Sequence, residues 1–430
     1  MRLTTFGRVL GGEYAVVPAR ELSGVRGSVL PHGNGKSYGD VCLPASNGRA
    51  VLAEELEPIS FDEQTGLLVA YAGVSISDVI HRCGPRNWFI PVTPGTKYVT
   101  LGGAIANDVH GKNHHLRGSF GCHVVWFDLL RSDGKTYRCS ASENTELFSA
   151  TIGGLGLTGY IKRAAVQLMK VPGCNVLEKT IPFQSLAQYF ELAELADNTN
   201  EYAVAWVDQL ASGAASGRGL LFVGNHTEGT FSPHRNAKLC VPCVPPINLL
   251  NGLSVRAFNL LYRTAKARKT EVHSMHYDPF FYPLDMVENW NRLYGPRGLH
   301  QHQSVIPFEA AGAVIPKLLE QSRRAGQVSF LTVIKRFGSM RSPALLSFAR
   351  PGYTLTLDFP HRGASTLALL DRLDQITIEC GGAVNPYKDS RMSPATFAAS
   401  FPNWRALEAM RDPAFMSGFW ARTAMRLPAD

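Results

Sequence analysis

Two glycine-rich stretches carry the residue types best suited to holding a phosphorylated ligand. One runs from Pro94 to His115, PGTKYVTLGGAIANDVHGKNHH. The other, His32 to Asp40, reads HGNGKSYGD and follows the strand-like GVRGSVLP. Glycine lets main-chain N–H groups approach an anion that a β-carbon would hold away. Two such loops predict a pyrophosphate between them, and a dinucleotide cofactor is the economical occupant.

Other motifs are weaker. His110, His114 and His115 invite a metal, yet the helical zinc pattern requires Glu directly after the first His, and Gly111-Lys112-Asn113 intervenes. A cation beside the ligands argues against zinc, so no metal is expected. Cys240-Val-Pro-Cys243 lacks a second pair and sits among prolines, which favours plain thiols. The spelling Gly154-Leu-Gly156-Leu-Thr-Gly159 fits a Rossmann fingerprint, but that motif needs a strand before it and a helix after. Here the order is reversed, and a tight turn is expected.

Farther along, strand alternation in His300-Gln301-His302-Gln303 puts the two glutamines on one face and the two histidines on the other. Paired amides facing a cavity suit sugar hydroxyls. Thr354, Thr356 and Asp358 likewise share one face of YTLTLDF, although such polar faces are commonly solvent faces. Lys388, in NPYKDSR, reads either as a solvated loop charge or as a catalytic group. When hydride leaves a carbinol carbon, a proton must also depart and negative charge grows on the acceptor. A lysine serves as base if burial lowers its pKa, or as a fixed cation if not.

The elements that must position these groups read as α+β. LLVAYAGVS then ISDVIHRC reads as strand then helix, ENTELFSATIG as helix, YIKRAAVQL as strand, and Asp133-Gly134 marks a hairpin inside HVVWFDLLRSDGKTYRCS. Short apolar runs punctuated by Gly and Pro fill Gly24 to Leu56. Around Val171-Pro172-Gly173 the texture changes, which predicts a domain boundary. Between Val241 and Pro283 a Pro-rich segment leads into NLLNGLSVRAFNLLYRTAKARKT, an apolar and basic mix that suits either a lipid surface or a cover for the protein's own core.

With 430 residues, 45% hydrophobic and 18% charged, the chain has the composition of a soluble protein of two or three domains. No apolar run reaches the roughly 18 residues of a spanning helix, and MRLTTFGRVLGGEYAVV lacks the apolar core of a signal peptide. The expected location is therefore the cytoplasm or the cytoplasmic face of the inner membrane, peripherally bound, with the periplasmic side as the alternative. Eight scattered cysteines do not make a disulfide framework. A net charge of +8 favours partners carrying phosphate or anionic lipid. It also permits nucleic acid, but no aromatic-plus-basic module supports that class, and no nucleic-acid partner is expected.

In ordered series these segments resemble the decaprenylphosphoryl-ribose 2-oxidase family, a branch of the vanillyl-alcohol-oxidase type of FAD enzymes. HGNGKSYGD resembles the first FAD loop, PGTKYVTLGGAIANDVHGKNHHLRGSFG the second, and TIGGLGLTGYI the strand closing over the flavin. FYPLDMVENWNRLYGPRGLHQHQSVIP, SFLTVIKRFG and PGYTLTLDFP resemble the substrate domain, and NPYKDSR the return to the flavin domain.

The resemblance implies a two-subdomain FAD-binding fold with an inserted α+β substrate domain built on an antiparallel sheet. Residues 1–174 would form the FAD domain, 175–382 the substrate domain, and 383–430 a returning segment. Implied FAD contacts are Gly33, Asn34, Gly35, Lys36, Ser37, Tyr38, Gly39, Asp40 and Val41, then Gly95, Thr96, Thr100, Leu101, Gly102, Gly103, Asn107, Asp108, Val109 and His110, then Ile161 and Asn385. Lys388 and His110 match catalytic positions, and Lys112, Gln301, Gln303, Lys335, Thr354, Thr356 and Phe281 match substrate-binding ones. Members oxidise the 2-hydroxyl of a polyprenyl-phosphoryl ribose, and an NAD(P)H-dependent reductase completes epimerisation to the arabinose donor for cell-envelope glycans. A soluble sugar-alcohol or aldonolactone oxidase of the same fold is the alternative.

The sequence departs from the family pattern at four points. Asn385 and Phe281 stand where tyrosines are common, and Thr354 and Thr356 replace an Asn-x-Cys pair. At Lys36, relatives that tether FAD covalently carry a histidine, so noncovalent FAD is expected here.

Overall fold

The computed structural model describes residues 1–52, 60–233, 239–268 and 270–428. The end of the Gly24–Leu56 stretch lies outside the described residues, as does Lys269 at the end of the basic segment. Three parallel strands, β1 (Ala15–Val16), β2 (Val29–His32) and β3 (Arg49–Leu52), pair in the order β1-β3-β2. Beside them stands an antiparallel sheet of β4 (Ser60–Phe61), β5 (Leu67–Tyr71), β6 (Val124–Leu130), β7 (Thr136–Ser140) and β8 (Tyr160–Gln167), ordered β7-β6-β8-β5-β4. The turn between β6 and β7 is the expected Asp-Gly hairpin, with Gly134 at φ +81°.

Helix α1 (Ile76–Cys83) starts at a reciprocal cap between Ser75 and Asp78, which satisfies N–H groups left without partners in the first turn. α2 (Leu101–Ala106) and α3 (Thr145–Thr151) complete this region. Leu68, Val79, Ile80, Leu101, Ile105, Phe127 and Phe148 are buried together between the sheet and its helices. Period-2 burial along β5 and the stripe of α1 thus converge on one core.

A second antiparallel sheet has eight strands: β9 (Val176–Phe183), β10 (Tyr202–Val207), β11 (Gly219–His226), β12 (His273–Met275), β13 (Leu299–Ile306), β14 (Val333–Phe337), β15 (Gly352–Pro360) and β16 (Ala383–Val384). Their order is β12-β9-β11-β10-β14-β15-β13-β16. Helices α4 (Leu186–Asp197), α6 (Phe308–Arg324) and α7 (Ala364–Glu379) bury one face through Tyr189, Leu318, Leu319, Leu369 and Leu373 against Leu355, Leu357 and Phe359. α5 (Gly252–Ala267) lies over the other face, where Tyr262 meets Trp206 at 5.3 Å between ring centroids.

Ala383–Val384 still pair with β13, so the chain leaves this sheet only beyond residue 384. It then forms α8 (Pro394–Ser400), α9 (Trp404–Met410) and α10 (Gly418–Arg422), whose Phe397, Leu407 and Trp420 pack with Leu30 and Leu157 of the first region. Phe415 bridges Val29 of β2, and Arg422 forks onto Asp40 at 2.8 and 2.9 Å. The termini therefore close one body, with the eight-stranded sheet entered and left between them. Among the described residues no helix is long and apolar enough to cross a membrane.

Candidate active site

Between the two regions lies a cavity of about 930 Å³, lined by both glycine-rich loops and by the face of the large sheet that α5 covers. On the cofactor side the wall is built from Gly33 to Tyr38, Val41, Gly95, Thr96, Thr100, Gly102, Gly103, Asn107, Val109, His110 and Ile161. On the sheet side stand Gln301, Gln303, Lys335 and Thr356, with Lys112, Phe281 and Lys388 between. Most of the residues that the sequence singles out are thus brought to one surface.

Six are not. Leu101 is wholly buried in the first core, and Asp108 holds Gly121 N–H at 2.9 Å and Ser347 Oγ at 2.7 Å behind the wall. Gly39 is glycine because the backbone of Asp389 crosses it: a Cβ would sit 1.5 Å from that carbonyl oxygen. Asp40 is the partner of Arg422, burial raising its carboxyl pKa against that pairing. Thr354 and Asn385 lie one layer back and act on Gln303.

The loops divide their work differently from expectation. In the second loop the amides of Leu101, Gly102 and Gly103 are already engaged, by Val74 O, Ala72 O and Thr100 Oγ1. Those of residues 33–37 donate to no acceptor among the described residues. Successive unengaged N–H groups in a glycine loop form an anion nest. At Gly33 a Cβ would meet Thr100 Oγ1 at 2.5 Å, which is why the two loops can close to this distance. Gly95 faces open space. Asn107 Oδ1 and Gln301 Oε1 are buried in the cavity wall without a protein partner, polar atoms that a bound group must satisfy.

Strand alternation resolves the HQHQ segment as anticipated. Gln301 and Gln303 face the cavity, while His300 contacts Ser390 and His361 and His302 lies 3.3 Å from Asp374 on α7. Gln303 is held from behind. Asn385 Oδ1 accepts the Tyr387 N–H at 3.1 Å, so its Nδ2 donates to Gln303 Oε1 at 2.8 Å. Gln303 must then turn its NH2 to Thr354 Oγ1 and to His110 Nε2, each at 3.0 Å. His110 Nε2 is thereby the acceptor, which puts the ring proton on Nδ1, 3.2 Å from Lys335 Nζ. An N–H facing an ammonium is repulsive, so with no anion in the pocket this arrangement favours Lys335 as the free amine, and a bound anion favours the ammonium.

Electrostatics agree. Burial, with Lys112 and Lys388 nearby, lowers the Lys335 pKa to about 7. Burial alone lowers Lys388 to about 8, opposed by Asp358, and Lys112 to about 8, opposed by Glu178. His110 is pushed well below its ordinary value by burial and then by Lys335, so it is a neutral ring. Lys388 Nζ sits 4.4 Å from the centroid of the Tyr38 ring. Three clustered lysines, each disfavouring charge on itself, describe a pocket awaiting an anion.

The remaining histidines of the second loop serve the fold: His114 Nδ1 accepts from Gly338 N–H, and His115 Nε2 meets Asn200 O. No group of three or more metal-ligating side chains comes together among the described residues. Cys240 and Cys243 are exposed free thiols, and residues 153–159 form a turn with Gly153, Leu155 and Gly156 at positive φ.

Residues 20–140 match the family model described as FAD binding domain. Decaprenylphosphoryl-beta-D-ribose oxidase of Mycolicibacterium smegmatis is 34% identical over 426 residues, covering 93% of this chain and 89% of that protein. The chain belongs to the decaprenylphosphoryl-β-D-ribose oxidase family. An uncharacterised protein of Streptomyces coelicolor is 33% identical over 367 residues, 80% of this chain and 96% of its own. Cytokinin dehydrogenase 5 of Arabidopsis thaliana is 28% identical over 163 residues, 37% of this chain and 28% of that protein.

Like the rest of its family, the protein is an FAD-dependent oxidoreductase with the fold of the vanillyl-alcohol-oxidase type. The free amides of residues 33–37, the open face at Gly95 and the orphaned Asn107 Oδ1 fit that cofactor. Sequence reasoning missed several cavity residues. Asp285, from the second region, accepts from Thr96 Oγ1 and Lys97 N–H and so pins the second loop, and Lys97 Nζ pairs with Asp278 at 2.7 Å. Glu178, Tyr98 and His32 also line the cavity. Asp285, a lone acid in a short turn, leaves no periodic trace, and Glu178 is an acid on the buried face of β9; His32 and Tyr98 fell within the two glycine-rich motifs.

Proposed function

We propose that the enzyme oxidises the 2-hydroxyl of a polyprenyl-phosphoryl ribose to the 2-keto sugar. That is the first half of an epimerisation to the arabinose donor for cell-envelope glycan synthesis, completed by an NAD(P)H-dependent keto-reductase. The observation that carries the reading is the cluster of Lys112, Lys335 and Lys388 in the same cavity as the cofactor loops. Burial makes each amine costly to charge, and a phosphate offsets that cost as no neutral pentitol can.

Noncovalently bound FAD supplies the hydride acceptor. The amides of residues 33–37 and Asn107 hold it, with Lys36 stacked 5.7 Å over Tyr98 rather than a ring nitrogen offered for a tether. Lys335 and Lys112 take the phosphate. Gln301 Oε1, whose own NH2 is engaged by Asp358, accepts from a sugar hydroxyl. Gln303, locked by Asn385, holds the neutral His110 in one tautomer beside the reacting carbon. Lys388, near pKa 8, takes the hydroxyl proton as a free amine and then stands as a cation where negative charge develops.

Steady-state oxidation of lipid-phosphoryl ribose, measured beside free pentitols and aldonolactones, tests the assignment. A preference of several hundredfold in kcat/KM for the phosphorylated sugar supports it, and preference for a neutral polyol or lactone replaces it with a soluble sugar oxidase.

A further inference from the structure

Between Glu228 and Glu271 the chain carries no acidic residue and seven lysines and arginines, against a net charge of +8 for the whole protein. The same segment exposes apolar bulk. Nine of the seventeen exposed large hydrophobic side chains among the described residues fall between 239 and 272. Leu253 is 81% exposed, Leu261 69% and Leu260 62% on α5, with Leu239 and Ile247 each at 66% on the preceding loop. On α5, Leu253, Ala257, Leu260 and Thr264 follow the i, i+4, i+7, i+11 spacing of one helical stripe, and Arg256 and Arg268 flank it. Its opposite face, through Phe258 and Tyr262, lines the cavity.

We propose that the outer face of α5 and the loop before it form the surface by which the enzyme lies on an anionic lipid bilayer. Leucines enter the headgroup region and the surrounding bases contact anionic lipid. An outer face of leucines flanked by cations, with no acid for forty residues, has the charge and polarity of an interfacial helix rather than of a contact with a second protein. Resting on the lipid-phosphoryl substrate proposed above, the placement has a further consequence: α5 separates bilayer from cavity, so a polyprenyl chain can stay in lipid while its phosphosugar reaches Lys335.

The test is co-sedimentation of the FAD-loaded enzyme with sucrose-filled vesicles of phosphatidylcholine alone or with one part in three of phosphatidylglycerol, for wild type and for the double variant L253E/L260E. Wild type should bind the anionic vesicles, more weakly as salt is raised, and the variant should bind roughly tenfold less or worse. An unchanged flavin spectrum and unchanged turnover of a short-chain, water-soluble phosphoryl ribose show that the variant is folded. Equal binding by both proteins, or no binding of wild type to either vesicle, overturns the proposal. So does a wild-type dimer that L253E/L260E dissociates without any vesicle binding. Absence of turnover on the short-chain substrate by wild type counts against the substrate assignment alone, since sedimentation reads the surface independently.

Discussion

Replacing Lys335 by Met separates the two demands that the structure places on this side chain. Burial and two neighbouring lysines bring its pKa from 10.5 to about 7. At 1.36 kcal/mol per unit, holding the charge costs up to about 5 kcal/mol. Because the folded pKa is depressed, the unfolded chain binds more protons between pH 7 and 10.5, and stability contributed through this residue rises with pH across that window. Lys335→Met removes the dependence while keeping the apolar stem. The variant should be more stable than wild type by up to about 4 kcal/mol at pH 7, with the gap falling to about 2 kcal/mol at pH 9. Its KM for the phosphorylated sugar should rise roughly 10- to 150-fold, the loss of one charge-assisted hydrogen bond of about 1.5–3 kcal/mol. Thermal unfolding followed by flavin fluorescence at the two pH values, with kinetics at saturating acceptor, reads both. A variant less stable than wild type at pH 7 by a pH-independent margin, or an unchanged KM, refutes the reasoning.

Lys388→Ala should retain FAD yet lose about 10²- to 10⁴-fold in the rate of flavin reduction, and the wild-type rate should climb with pH through about 8 as the amine is freed; stopped-flow absorbance checks both. Asn385→Ala releases Gln303 to rotate its amide, so kcat/KM should fall about tenfold while FAD affinity, measured by ultrafiltration, stays the same. Acid precipitation of the wild type should leave all yellow colour in the supernatant; colour in the pellet would mean a covalent bond.

The sequence revealed most where physics imposes a pattern. Glycines at 33 and 35 announced the anion loop, alternation separated Gln301 and Gln303 from His300 and His302, and Asp133-Gly134 marked its hairpin. It revealed least where only a neighbour decides. Gly39 and Asp40 continue the first loop in sequence, but the backbone of Asp389 and the guanidinium of Arg422 claim them. The second loop looked like an amide donor, and only the fold shows that Ala72 and Val74 have taken those groups. Asp285 comes from a short turn with no period to read, and Glu178 is an acid on the buried face of β9, where alternation predicts an apolar side chain. The depressed pKa values of Lys112, Lys335 and Lys388 follow first from burial, with the other two lysines adding to it at Lys335, and spacing along the chain encodes neither.

The central claim is that one cavity sets the flavin beside the 2-carbon of a phosphorylated ribose. Anaerobic single-turnover bleaching with lipid-phosphoryl ribose carrying deuterium at C2 tests it most directly. The oxidised flavin spectrum should be lost completely, slowed several-fold by deuterium at C2 and unaffected by deuterium at C3. Bleaching slowed only by C3 deuteration, or no bleaching at all, would contradict it.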